Sequence, residues 1–153
     1  MMSANEMIKR HESLGAVFSD DGFVKSYGDY ESEYRAARKA AGLMDLSNRD
    51  RLSLRGKDSV SFLNNMVTND IRLLKPGMGL YACLLNPKGH IITDMRVHRG
   101  PEDELILDLE AGLGDRLREH LEKHKFRSEV EISTLRESLA HFYLLGKDVR
   151  AVL

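Results

Sequence analysis

Two apolar runs, LYACLLN and HIITDMRV, meet at Asn86-Pro87-Lys88-Gly89. No other feature limits the folds open to this chain as much. Proline fixes φ near about −65°, which suits the second position of a type I turn, and Gly89 suits the left-handed position that follows. The runs therefore read as the arms of an antiparallel hairpin, with a three-residue loop and a bulge at Gly89. A type I′ turn is excluded, because it needs a positive φ where the proline stands. Side chains alternate between faces along the second arm. Ile91, Thr93, Met95 and Val97 form the core-side set; His90, Ile92, Asp94, Arg96 and His98 form the other. Asp94 is then either an outward carboxylate beside Arg96 or a carboxylate held for chemistry.

The rest of the chain supplies helices to cover such a sheet. The first dozen residues read as a short helix ending near Gly15. DYESEYRAARKAAG is the clearest helix, with Asp29 as N-cap, Glu31 in the first turn and Gly42 closing it. Tyr30, Tyr34, Ala37 and Ala41 fall on one stripe, read as core packing. RLSLRG (51–56) alternates as a strand, and KDSVSFLNNMV follows as a short helix. ELILDL is a third strand after the hairpin. Leu113, Leu117 and Leu121 recur every four residues, so 113–124 reads as an amphipathic helix. EVEIS (129–133) and HFYLLG (141–146) add two strands. The order strand, helix, three strands, helix, two strands indicates an α+β fold with a mostly antiparallel sheet.

Composition narrows the function classes. The 153 residues fit a single domain spanning 1–153. A formal net charge of −1 gives no bulk electrostatic case for nucleic acid or an anionic membrane. No apolar run reaches the roughly 18 residues of a membrane span. The start, MMSANEMIKRHE, lacks the apolar centre of a signal peptide, so a cytoplasmic setting is expected. The single cysteine, Cys83, rules out a disulfide framework within the chain and CxxC metal sites; it reads as a small buried core residue. His120 and His124 have metal-ligand spacing, but HLEKH puts Leu121 where a zincin needs glutamate. They read as a solvated helical face, and no metal site is expected.

Several stretches together resemble one family. They are HESLGAVF near the start, AGLMDLSNRDRLSLRGKDSVSFLNNMVTNDIRLLKPGMGLYACLLNPKGHIITDMRV, and LLGKDVRAVL. They look like the amino-terminal half of the glycine-cleavage T-protein, a tetrahydrofolate-dependent aminomethyltransferase. The same superfamily holds a folate-binding protein that assists iron–sulfur enzymes. Family members are longer, so the chain is expected to be the amino-terminal folate-binding part of a longer protein.

The resemblance implies specific residues. T-proteins carry two adjacent aspartates on this hairpin strand, the second against the folate amine that accepts the one-carbon unit. Here the pair reads Thr93-Asp94, so Asp94 is the expected catalytic residue. Tyr81 falls at a tyrosine lining the family's folate pocket. The family's DVSHM appears as DLSNR, placing Asn48 and Arg49 at positions near the pterin. The implied activity moves a one-carbon unit from an aminomethyl-lipoyl carrier protein to tetrahydrofolate. The alternative is a non-catalytic folate-binding maturation factor for iron–sulfur enzymes, suggested by NPKG and Thr93. A carboxylate at Asp94 can orient the amine and offset developing positive charge. A three-residue loop puts Asp94 opposite Ala82; a two-residue register pairs it with Tyr81 directly.

Overall fold

The computed structural model describes residues 4–20, 22–135 and 139–151. It divides into two compact units, one of residues 1–48 and 137–153, the other of residues 49–136. In chain order the elements are helix α1 (Ala4–Ser13), strands β1 (Val17–Phe18) and β2 (Val24–Ser26), helix α2 (Tyr30–Lys39), strands β3 (Gly42–Asp45) and β4 (Asp50–Arg55), helix α3 (Ser59–Asn64), strands β5 (Gly79–Leu85), β6 (Ile91–Arg99) and β7 (Leu105–Leu109), helix α4 (Gly114–His124), and strands β8 (Glu131–Thr134) and β9 (Phe142–Leu145). The fold is α+β, and every strand pair among the described residues is antiparallel.

The second unit is a five-stranded sheet in the order β5-β6-β7-β4-β8. One face is apolar. Leu52, Leu54, Ala82, Leu84, Met95, Val97, Leu105, Leu107 and Leu109 are buried there with Phe62 and Leu63 of α3, Ile71 and Leu74, and Leu117 and Leu121 of α4. The leucines four apart on α4 are thus its core stripe, while His120 and His124 stack on each other, with ring centroids 4.4 Å apart. Among the described residues no cluster of three or more His, Cys, Asp or Glu could hold a metal ion. Leu113 at the α4 N-cap makes no side-chain cap bond. Asp50 of β4 substitutes, accepting from the Gly114 N–H at 2.8 Å. A Cβ at Gly114 would stand 2.9 Å from the Asp50 Cβ, so only glycine admits this anchor.

The first unit holds α1, the β1–β2 pair, α2 and the β3–β9 ribbon. Asp29 caps α2 as its sequence predicts, accepting from the N–H groups of Glu31 and Ser32. Two expectations are corrected here. The helix ends at Lys39, and Gly42 instead opens β3. The stripe of Tyr30 and Tyr34 is not core: both are exposed, Tyr34 at 65%, and α2 has no buried residue. The helix meets the ribbon through small residues, with Ala37 and Ala40 lying close to Gly42 and Gly146. The strand β3 itself went unread in the sequence, because its pairing with β9 spans about a hundred residues and its side chains do not alternate by polarity. His11 of α1 clips this unit together, its Nε2 2.6 Å from Asp45 Oδ2 and its Nδ1 2.6 Å from the Tyr27 hydroxyl. No helix among the described residues is long and apolar enough to cross a membrane.

Candidate functional site

The hairpin turn forms as its residues dictate. The Gly89 N–H donates to the Asn86 carbonyl at 2.9 Å, the Asn86 N–H to the His90 carbonyl at 2.9 Å, and Gly89 has φ +82°. The Asn86 carboxamide oxygen also accepts from the N–H groups of Lys88 and His90. A second irregularity follows. Leu85 pairs with Ile91 but Leu84 pairs with Thr93, leaving Ile92 as an extra residue on β6. Both expected registers are therefore wrong: Asp94 stands opposite Cys83, and Tyr81 opposite Arg96. The bulge also reverses the phase ahead of it. Thr93, Met95 and Val97 face the core as expected, whereas Ile91 is 65% exposed. Cys83 is likewise not a core residue. It alternates with the buried Ala82 and Leu84, so it shares the opposite face with Tyr81 and is half-buried.

That opposite face carries the polar chemistry. The register sets Tyr81, Arg96, Asp108 and Arg51 in one cross-strand row over four strands. Asp94 is half-buried one diagonal step from Tyr81, and the Tyr81 hydroxyl donates to its Oδ2. Diagonal neighbours are within reach of a tyrosine. This hydrogen bond is the main reason the Tyr81 phenol is held above the ordinary tyrosine range, with burial and the Asp94 charge adding to it and Arg96 opposing. Tyr81 is nonetheless 54% exposed, so its ring presents an open aromatic surface beside the carboxylate. Its backbone is pinned from the sheet edge. Asn69 Nδ2 donates to the Tyr81 carbonyl at 3.0 Å, and Thr68 bonds Cys83 through both backbone and hydroxyl. The TND segment thus covers the outer edge of β5.

Arg49 reaches the same row. Its Nε donates to Asp108 Oδ1 at 2.8 Å and its Nη1 to Glu110. Burial works against the Arg49 charge, but the hydrogen bonds to Asp108 and Glu110 outweigh it and raise its pKa. Arg96 approaches the other oxygen of Asp108 at 3.7 Å. Asn48 lies in the other unit, half-buried in the turn that follows β3. Of the four residues singled out in the sequence, Tyr81 and Asp94 are joined directly, and Arg49 is tied to Asp108 on the same face. Asp108 was missed. Its signal was available, since a lone carboxylate inside the apolar run ELILDL is the same kind of anomaly as Asp94.

An exposed aromatic ring, an oriented carboxylate and a guanidinium suit a flat heterocycle that carries an amine and oxygen acceptors. Comparisons with known proteins identify the family. Residues 7–153 match the family model for the GCVT N-terminal domain. An aminomethyltransferase from Bordetella pertussis is 34% identical over 114 residues, covering 72% of this chain and 31% of that protein. One from Nitrosococcus oceani is 32% identical over 145 residues, covering 92% and 39%. Among solved structures, the glycine cleavage system aminomethyltransferase T from Bartonella henselae superposes with a TM-score of 0.83 at 30% identity, covering 95% of this chain and 41% of that one. The chain spans less than half the length of the curated relatives it matches.

Proposed function

Because this chain belongs to the GCVT N-terminal domain family, that of the aminomethyltransferase T-proteins, we propose that it is the folate-facing part of a tetrahydrofolate-dependent aminomethyltransferase. The observation that carries this reading is the Tyr81–Asp94 hydrogen bond on the open polar face of the sheet. Bound tetrahydrofolate would supply two nucleophilic amines to take up the methylene of an aminomethyl-lipoyl carrier protein, the C–S and C–N bonds breaking to leave the free lipoyl thiol and ammonia. Asp94 is the catalytic residue in this reading. Its Oδ2 is held by Tyr81, which leaves Oδ1 to accept from the amine and offset positive charge as that amine attacks. The Tyr81 ring forms an aromatic wall for the pterin. Arg49 supports the site through Asp108. The carrier protein is the expected partner, and the setting is cytoplasmic.

Calorimetric titration with tetrahydrofolate, wild type against Asp94→Ala, tests the reading. Binding to the wild type that Asp94→Ala weakens is the expected result; no binding by either would sink it. A second reading, non-catalytic folate binding in the maturation of iron–sulfur enzymes, draws on Thr93. This residue stands where T-proteins have an aspartate; it is buried on the core side, and its hydroxyl donates to the Asp94 carbonyl at 3.1 Å. Its side chain therefore lies on the opposite face from the Asp94 carboxylate. Turnover with an aminomethyl-lipoyl carrier protein excludes the second reading; folate binding without turnover favours it.

A further inference from the structure

Asp94 and Arg96 are two apart on β6, so they share a face with Cα atoms about 6.6 Å apart. Tyr81, which holds Asp94, stands directly across from Arg96. Arg96 therefore flanks the Tyr81–Asp94 pair on the side away from the hairpin turn. The protein itself makes little use of its guanidinium. Among the described residues its one ion-pair partner is Asp108, at 3.7 Å, longer than a hydrogen bond. The other oxygen of Asp108 already accepts from Arg49. The Arg96 side chain is 57% exposed, and an exposed pair at that separation adds little to stability. A planar fork of N–H donors is thus presented beside an aromatic ring and a carboxylate.

Resting on the folate reading above, we propose that Arg96 determines specificity by donating to an oxygen acceptor of the pterin ring while Asp94 faces the amine. The spacing favours the ring over the acidic tail. A fused two-ring pterin is comparable in width to the separation of two same-face strand positions, whereas the glutamyl carboxylates lie a full aromatic ring further on. The charge of Asp108 biases the guanidinium to stay on this face without consuming its donors.

Calorimetry with two ligands tests the assignment: tetrahydrofolate, and a tetrahydropterin that lacks the benzoylglutamate tail. Arg96→Leu is expected to weaken both by the same factor, about tenfold or more, as for loss of a charge-assisted hydrogen bond, with the thermal midpoint unchanged. Arg96→Lys keeps the charge without the planar fork and is expected to lose several-fold on both; it carries the comparison should the leucine variant not fold. Unchanged affinity for both ligands overturns the assignment, and so does a loss confined to the tail-bearing ligand. A wild type that binds neither ligand overturns the folate reading along with it, which separates that failure from one specific to Arg96.

Discussion

The same strands write both faces of the five-stranded sheet, and the faces differ in what they hold. On one, Leu107 and its neighbours are closed under α3 and α4; on the other, Tyr81 and Arg96 stand exposed and Asp94 half-buried, on the same face as Asp108 and Arg51. Met95 and Asp94 are adjacent in the chain and belong to opposite tasks. Burial alone does not separate the tasks, because Arg51, Ser53 and Asp108 are as enclosed as the leucines. The polar face therefore has an anchored interior, where Arg49 and Asp108 pair, and an open margin, where Tyr81, Asp94 and Arg96 can meet a ligand. Side chains in the anchored interior should behave in stability like the core, and those at the margin should not.

Substitutions rank accordingly. Leu107→Ala is expected to cost about 2–5 kcal/mol in denaturant unfolding, the usual range for emptying a closed apolar site. Asp108→Ala should cost about 3 kcal/mol although it lies on the polar face, because it strips a buried pair and leaves Arg49 with Glu110 alone. A loss well under about 1 kcal/mol there would erase the distinction between interior and margin. Gly89→Ala should cost about 1–2 kcal/mol, since its φ of +82° lies in the left-handed region. Tyr81→Phe and Asp94→Asn should leave the same unfolding curve almost unmoved, because both groups sit at the margin.

The smallest effect is a titration. The raised Tyr81 pKa means that folding favours the protonated phenol. Its stabilising contribution is fully present below the ordinary tyrosine value near about 10 and is lost as pH rises through the folded value. Burial raises Tyr27 as well, so phenolate absorbance of the wild type minus that of Tyr81→Phe should isolate the Tyr81 titration. In Asp94→Ala that tyrosine should ionise earlier; no change would mean the hydrogen bond is absent in solution.

Local signals were the legible part. Proline and glycine at 87 and 89 gave the turn, Asp29 gave the α2 cap, and the spacing of Leu117 and Leu121 gave the buried stripe of α4. Features decided by distant partners were not legible. The extra residue at Ile92 depends on how β5 and β6 settle against each other, and it alone changed the neighbours of Asp94 and exposed Ile91. The tyrosines of α2 share a stripe, but periodicity cannot name the surface a stripe meets, and the ribbon is met by alanines instead. Cys83 sits in an apolar run, yet the pleat assigns it to the polar face. Asp94 stood out as a charge in a strand; its partner Tyr81 came from the family resemblance, and the diagonal contact between them came from the register.

The central claim is that tetrahydrofolate meets the open margin of the polar face. Side-chain chemical-shift mapping during a tetrahydrofolate titration tests it most directly. The account predicts shifts at the Tyr81 ring, the Asp94 carboxyl and the Arg96 guanidinium, with the methyl groups of Leu54, Leu105 and Leu107 undisturbed. Saturable binding that leaves Tyr81, Asp94 and Arg96 unshifted would contradict it.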